Sequence, residues 1–498
     1  MAAPPKKILF LSNAEFGELT VVLATCDALM HAAPAVQLHV ATYGGQPERA
    51  VAATSDYARR TSPAAAPIVF HQVSGPSYVD EIFRRFGSIP PSFGLPPSFW
   101  NTLKFIGDMP YALLPWGPDE FVVSLDSCLR IIDEVKPDLI GVNSLFAPGL
   151  TAARHVGAHF IVLAPGSIKD YALSKQPRGG AFWKYPIAGT AFACPVPWHQ
   201  KPMNVCFMIF IVYILVTNKH LKSTASAIKA KNNAELVTIG SLAFGSSDCK
   251  LLVSGSAELD FPMMVPDFLV PCGPIVRPVP SVADVDPDLD AWLASGPVVY
   301  ISLGTHALTT EDLAVEMAKA VRVLLDSAES SEVKSDLRVL WKLKKKGSYN
   351  ANSPGSKVHA ILGKEMASDR IRIVDWVTAE PMAILQSGHV VCSVNHGGAN
   401  SFYESVTTGT PQVVLPQWAD CYEYAYRAEM LGIGRWGSKS MKPQWSAEEL
   451  GPTLIEVVIG KRRDAYRRTA QRLSERFGVS AGRAKAAKII LESMGSST

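Results

Sequence analysis

Short, almost wholly apolar runs, each followed by a longer amphipathic segment, recur in two series along this chain, and that alternation constrains the fold more than any other feature. The first series comprises residues 8–11, 37–41, 67–71, 139–142, 160–163 and 250–253. The second comprises residues 298–302, 339–342, 371–374, 390–394 and 412–415, with a helical pattern over 311–325. Runs of strand length that are apolar on both faces suit strands buried in a parallel sheet, because helical crossovers cover both faces of such a sheet. The pattern therefore predicts an α/β chain. Between the two series the passage PDFLVPCGPIVRPVPSVADVDPDLDAWL carries Pro266, Pro271, Pro274, Pro278 and Pro280, which bar a continuous helix and stiffen the chain. The expected division is an N-terminal domain over 1–275, a Pro-rich linker over 276–290 and a second domain over 291–460. Two terminal helices, over 461–477 and 481–494, close the chain. Its 498 residues suffice for two large domains at roughly 150 residues per ordinary domain.

Composition excludes several function classes. Lys plus Arg number 48 against 45 for Asp plus Glu, so no polyanionic partner is indicated. The cations Lys461, Arg462, Arg463, Arg467, Arg468, Arg472 and Arg476 are interspersed with Asp464 and Glu475 and backed by Leu473, the pattern of a solvated amphipathic helix and not of a nucleic-acid patch. The eight cysteines are scattered, without a CxxC pair or a zinc-like Cys/His spacing, which fits a reduced, cytoplasmic protein. The start, MAAPPKKILFLSNAEF, is interrupted by Asn13 and Glu15 too early for a signal-peptide core and reads as a first buried strand.

Four local features carry further expectations. Residues 205–216, VCFMIFIVYILV, are twelve consecutive apolar residues flanked by Lys201, Lys219, His220 and Lys222. A bilayer crossing needs about 20 such residues, so the run is expected as a buried helix or acceptor-pocket wall, with peripheral membrane contact kept open by its basic flanks. Residues 87–116 are rich in Pro, Phe and Trp, too irregular for a helix and too apolar for an exposed linker, and are expected to pack as a lid or wall over a pocket. The hydrophilic stretch 344–357 is expected to be a mobile loop, and Ser446 with Glu449 to form a capping box.

The segment with the most chemical content is residues 394–425, VNHGGANSFYESVTTGTPQVVLPQWADCYEYA. A strand ends at Val394, a tight HGG turn follows, and a helix begins at Ala399. Amide N–H groups at a helix start, approachable because Gly397 and Gly398 lack side chains, make an anion site, and His396, Asn400 and Ser401 add donors. A phosphate or diphosphate is the natural ligand. Glu404, one turn on, suits a ribose diol, and the next strand delivers Gln417, Trp418 and Asp420 to the same sheet edge, a carboxylate beside an aromatic ring being a common way to hold a sugar.

The order H-x-G-x-N-S-x-x-E, then G-x-P, then P-x-W-x-D, with ISLGT at 301–305 and VDWVTAEPMAIL at 374–385 upstream, resembles the donor signature of the family 1 UDP-dependent glycosyltransferases, in wording like that of fungal members. The resemblance covers most of the C-terminal half and the N-terminal half in outline. It implies the GT-B fold: two Rossmann-like domains facing across a cleft, the C-terminal one holding the nucleotide sugar, the N-terminal one the acceptor, and terminal helices returning to the N-terminal domain. Carried over, Trp376 stacks on uracil and Val377 offers backbone contacts to the base. Glu404 binds ribose, and His396, Asn400 and Ser401 hold the diphosphate with Gly304, Thr305 and the Gly398 turn. Trp418 and Asp420 sit at the sugar. UDP-sugar is then a co-substrate, with no cofactor or metal required. Cys421 stands where plant members often carry a sugar-contacting Gln, so sugar preference is not inherited. The spacing from Trp376 to Leu385 is also longer, which leaves Thr378 to Pro381 without assigned roles.

The catalytic base departs from the family pattern. Inverting transfer needs a base at the acceptor hydroxyl. Where the family places a His in a G-H pair, this chain has Glu18 after Gly17, and Asn143 stands where the orienting Asp is expected. Three accounts stay open: Glu18 is the base with a pKa raised by an apolar pocket, Glu15 being the neighbouring alternative; the acceptor is acidic enough to need little help; or the protein binds donor without efficient transfer. The leading expectation is an inverting O-glycosyltransferase that moves a hexose from a UDP-sugar to a small lipophilic acceptor such as a terpenoid, sterol or polyketide of secondary metabolism. The alternatives are a donor-binding partner protein without efficient catalysis and a sugar-nucleotide epimerase.

Overall fold

The computed structural model describes residues 5–244, 249–330 and 336–495. Two sheets organise it, and both are parallel throughout. The first contains β1 (Lys7–Leu11), β2 (Gln37–Thr42), β3 (Val69–Gln72), β4 (Leu139–Asn143), β5 (Phe160–Ala164), β6 (Leu251–Val253) and β7 (Leu269–Pro271) in the order β3-β2-β1-β4-β5-β6-β7. The second contains β8 (Val298–Ser302), β9 (Arg338–Lys342), β10 (Ile371–Val374), β11 (Val390–Asn395), β12 (Gln412–Val414) and β13 (Gly434–Trp436) in the order β10-β9-β8-β11-β12-β13. Strands β1, β4, β5 and β8 are buried along most or all of their length, the property their unbroken apolar runs predict.

The strand orders fix where chemistry can occur. In a doubly wound sheet the connections leave a crevice at the carboxyl ends of the two strands where the winding direction reverses. That point lies between β1 and β4 in the first sheet and between β8 and β11 in the second. The terminal helix Ala481–Gly495 returns to the first domain, where Ala486, Ala487, Ile490 and Met494 join the core built on the helix Phe16–Ala32. Burying Ile490 and Met494 stabilises that return by about 1.5–3 kcal/mol each. The preceding helix, Arg463–Phe477, keeps its arginines outside and buries Tyr466, Ala470, Leu473 and Phe477 chiefly against the second domain, so of the two terminal helices expected to return, the last is the one whose core residues join the first domain.

Several local expectations are corrected. The Pro/Phe/Trp stretch is not irregular throughout. The helix Phe99–Leu113 starts at Ser98, whose hydroxyl accepts from Asn101 N–H, because Pro96 and Pro97 lie outside it and Pro110 falls near its end. The run 205–216 forms the helix Lys201–Thr217, but that helix is not buried throughout: Asn204, Phe207 and Met208 are buried and Phe210, Ile211 and Ile214 partly so, because a single face finds partners. The stretch 344–357 is tied down. Lys344 Nζ donates to the Thr305 carbonyl, Tyr349 OH to that of Thr309, and Asn352 to that of Ile373. The Ser446/Glu449 capping box does not form: Ser446 makes no side-chain cap, and Glu449 instead accepts from Ser438, Lys439 and Ser440. The Pro-rich linker is partly helical, with Val282–Val285 and Pro287–Ala294, and its Val276, Val279, Val282 and Leu289 pack into the second domain. The edge strand β7 lies within the proline-dense passage, with Pro271 at its end, a position that needs no ladder N–H.

Candidate active site

On the first sheet's crevice, the loop after β1 leads into the helix Phe16–Ala32, which places Glu18 in its first turn, and the end of β4 supplies Asn143. Leu145 N–H donates to Asn143 Oδ1 at 3.1 Å, which turns the amide so that Nδ2 donates to Glu18 Oε2 at 2.8 Å. Glu15, by contrast, accepts from Val79 N–H at 3.0 Å, so its carboxylate is anchored elsewhere. Burial pushes the Glu18 carboxyl up to about 7, the Asn143 hydrogen bond opposes this, and the Glu15 and Asp420 carboxylates add to it. Glu15 is likewise raised to about 7, chiefly by burial. A carboxylate balanced near neutrality can take a proton at physiological pH.

The second sheet's crevice has the opposite character. Gly304 opens the turn after β8 with φ +81°, and a Cβ there would lie 2.7 Å from the His396 ring. Gly397 has φ +79°, and a Cβ would meet the Cys421 carbonyl at 2.7 Å, so the turn between β11 and the helix Ala399–Thr407 closes only with glycine. That helix is capped by Gly398, which offers no side chain, and its first-turn N–H groups are left for a ligand. Burial first, then the nearby His306 and Lys342, push His396 down to about 4, and its Nδ1 has no partner. A neutral imidazole with a free nitrogen beside a helix start is a donor set suited to a diphosphate.

The remaining predicted residues line the same opening. Trp376 is 65% exposed, with the Lys342 ammonium 4.3 Å from its ring centroid, and Val377 follows it, half-buried. Thr305 lies beside Gly304, its carbonyl held by Lys344. Ser401 lies in the first turn of the helix Ala399–Thr407, its carbonyl accepting from Ser405 Oγ at 2.9 Å. Asn400 reaches across the cleft and donates to the Gly17 carbonyl at 3.4 Å, next to Glu18. Burial and Glu380 push Glu404 up to about 8, with Arg277 opposing. Asp420 occupies the cap position of the helix Cys421–Met430 without capping it, and burial raises it to about 7. It follows Ala419, a non-glycine residue at φ +28°, the kind of backbone outlier that persists where surrounding structure enforces it. Trp418 and Ala419 join the apolar cluster of Phe105, Ile106, Ile187 and Phe207, so this donor-side loop also forms part of the opposite wall.

Sequence reasoning missed the groups that surround these residues. Lys342 and His306 sit near His396, and the Arg277–Glu380 pair lies beside Glu404. A buried ionic network joins the two domains behind Asp420: Lys169 pairs with Glu423, and Arg427 pairs with Asp260 at 2.7 Å and approaches Glu423 at 3.5 Å. The i,i+4 spacing of Glu423 and Arg427 was the sole sequence signal, because Asp260 and Lys169 come from the other domain. Among the described residues no group of three or more His, Cys, Asp and Glu side chains could hold a metal ion.

Comparison with known proteins gives this geometry a family. Residues 361–490 match the model of the erythromycin biosynthesis protein CIII-like C-terminal domain. The glycosyltransferase sdnJ of Sordaria araneosa is 30% identical over 519 aligned positions, covering 98% of both chains. The chain belongs to the family 1 UDP-glycosyltransferases. A UDP-glycosyltransferase of Talaromyces amestolkiae is 26% identical over 234 residues, 45% of this chain and 42% of that one. Among solved structures, a UDP-glucosyltransferase from Polygonum tinctorium capable of glucosylating indoxyl superposes with a TM-score of 0.62 at 16% identity, covering 98% of this chain and all of its own. A UDP-glucose:anthocyanidin 3-O-glucosyltransferase in complex with UDP gives 0.57 at 16% identity, covering 99% of each. The two parallel-sheet domains are thus the GT-B fold, and this UDP-glycosyltransferase is an enzyme that uses a UDP-sugar as donor.

Proposed function

We propose that this glycosyltransferase moves a hexose, with inversion, from its UDP-sugar to a hydroxyl of a small lipophilic secondary metabolite such as a terpenoid, sterol or polyketide, and that Glu18 is the base. The observation that carries the reading is the Asn143–Glu18 hydrogen bond at the β1/β4 crevice, close enough to Asp420 for the two carboxylates to interact. Glu18 takes the hydroxyl proton as the acceptor oxygen bonds to the anomeric carbon. The bond from that carbon to the diphosphate breaks, and its electron pair leaves with UDP. Asn143 is a positioning residue. Charge growing on the leaving diphosphate falls on the helix start at Ala399 and on His396, Asn400, Ser401, Gly304 and Thr305, so no metal is needed. Trp376 and Val377 meet uracil, Glu404 the ribose, and Trp418 and Asp420 the sugar hydroxyls. The apolar cluster around Phe105 and Phe207 supports a lipophilic acceptor, as do the small aromatic acceptors named for the solved relatives, indoxyl and anthocyanidin.

The test is incubation with UDP-glucose and a panel of hydroxylated terpenoids, sterols and polyketides, with and without EDTA, followed by mass spectrometry and anomeric assignment by NMR. A β-glucoside from the α-linked donor, unaffected by EDTA, is expected. An α-glucoside overturns inversion, and full activity of Glu18→Gln removes Glu18 as the base.

A further inference from the structure

We infer that the helix pair Lys201–Thr217 and Lys219–Asn232 is a docking surface for an anionic membrane, on which the protein lies without crossing. The outer face of the first helix presents Ile209 (58% exposed), Val212, Tyr213 (58%) and Val216 (64%) at i, i+3, i+4 and i+7, one continuous apolar stripe. Its inner face is held by the protein: Phe207 stacks on Phe99 at 5.5 Å, and Phe207 and Met208 join the cluster of Phe105 and Ile187. At the N-terminal end of the helix Trp198 is 81% exposed, and Trp183, 39% exposed, carries the Lys201 ammonium 4.9 Å from its ring centroid. Exposed indole rings beside lysines and an aliphatic stripe match the layered chemistry of a membrane interface.

Charge decides between a bilayer and a protein partner. Residues 198–232 contain Lys201, Lys219, Lys222, Lys229 and Lys231 and no Asp or Glu, Lys231 pairing with Asp119 of another helix. In a two-fold pair of these helices packed antiparallel, Lys201 of one copy would face Lys219 and Lys222 of the other, with no carboxylate on the element to offset them. An anionic headgroup layer meets the same lysines favourably, at about 1 kcal/mol each.

Geometry excludes a crossing. Helical residues run from Trp198 to Asn232, 35 residues that satisfy length and hydropathy for a span. Asn218, however, adopts φ −60° and ψ 122° and caps the second helix through Leu221 N–H, which breaks the run. The helix that remains, Lys201–Thr217, is about 25 Å long at 1.5 Å per residue, shorter than a bilayer core of about 30 Å, and it is covered on one side by protein. The surface lies on the outer side of the apolar acceptor wall, so it brings that wall to the phase in which lipophilic compounds partition. That last consequence rests on the proposed acceptor class; the docking itself does not.

Co-sedimentation of the full-length protein with phosphatidylcholine vesicles, with and without phosphatidylserine, tests the inference. Binding to the anionic vesicles that weakens with salt is expected. Lys219→Gln with Lys222→Gln should lower the partition coefficient about 25-fold, from about fivefold per lysine. Ile209→Ser with Tyr213→Ser and Val216→Ser should abolish binding while donor-dependent transfer to a water-soluble acceptor stays at the wild-type level, which shows that the variant is folded. Absence of vesicle binding, or binding unchanged by both sets of substitutions, overturns the inference. So does a dimer in gel filtration that the serine variant dissociates, since the stripe would then serve a second copy. Failure of transfer with every acceptor but intact vesicle binding would overturn the acceptor reading alone.

Discussion

The two walls of the cleft are built at the same topological position of two similar sheets, yet their chemistry is opposite. At the β8/β11 crevice the working groups are N–H donors, glycine turns and a neutral His396, with Lys342 and His306 nearby. At the β1/β4 crevice they are carboxyls held near neutrality, Glu18 and Glu15, beside a largely apolar wall. The difference teaches how one fold divides a transfer reaction: one wall receives negative charge as the leaving group departs, and the other withdraws a proton from the nucleophile. Burial is the first cause throughout: it lowers His396 and raises Glu18, Glu15 and the donor wall's own Glu404 and Asp420, because it disfavours whichever form is charged.

The largest expected effect comes from removing the proton-accepting member. Glu18→Gln should lower kcat/KM by about 10²–10⁴ without lowering Tm, whereas Glu15→Gln, whose carboxyl is anchored by Val79, should cost far less. If the two variants fall equally, the assignment of roles on the acceptor wall breaks. Next in size is the link that holds the walls in register. Arg427→Ala leaves Asp260 and Glu423 buried with one cation fewer and should destabilise the protein by about 3–5 kcal/mol, read by chemical denaturation.

On the donor wall, His396→Ala should weaken UDP binding by about 10- to 100-fold in calorimetry, the value of about 1.5–3 kcal/mol for a hydrogen bond to a charged group, with little change in the pH profile. The profile itself should follow the other wall. Activity that needs ionised Glu18 rises with pH through about 7, and Asn143→Asp, which sets a second carboxylate against Glu18, should move that rise to higher pH. An unmoved profile would sever Glu18 from the rate. The smallest effect concerns stability. Glu18, Glu404 and Asp420 have folded pKa values of about 7, 8 and 7, above their ordinary 4.5, 4.5 and 3.8. Protonation therefore favours the folded state, a contribution that is complete below the ordinary values and lost as pH rises through about 7–8. Tm of the free enzyme should fall across that window, and Glu404→Gln should flatten the fall.

Reading the chain residue by residue made the strands, the two-domain division and the donor turn legible, since each depends on local pattern: apolar runs for β1, β4 and β8, and glycines at 397 and 398 beside a helix start. The same local pattern does not settle residues 205–216, where apolarity fits a buried helix, a pocket wall or an interfacial helix and the fold leaves one face exposed, and it misleads at Ser446, whose expected partner Glu449 is claimed by Ser438 to Ser440. Neither outcome is written within the segment itself.

Sequence alone determined the strand periodicity, the glycine-lined donor turn and the presence of Glu18 and Asn143 where a His and an Asp are usual. The tertiary structure decided that Asn143 meets Glu18 and not Glu15, that Asn400 reaches Gly17, that Asp260 and Lys169 pair with residues of the other domain, and that one face of the helix Lys201–Thr217 is left uncovered. The physical reason is range. Periodicity and turn chemistry act over a few residues, whereas hydrogen bonds, burial and the pKa shifts they cause depend on which distant segments the sheet order brings together.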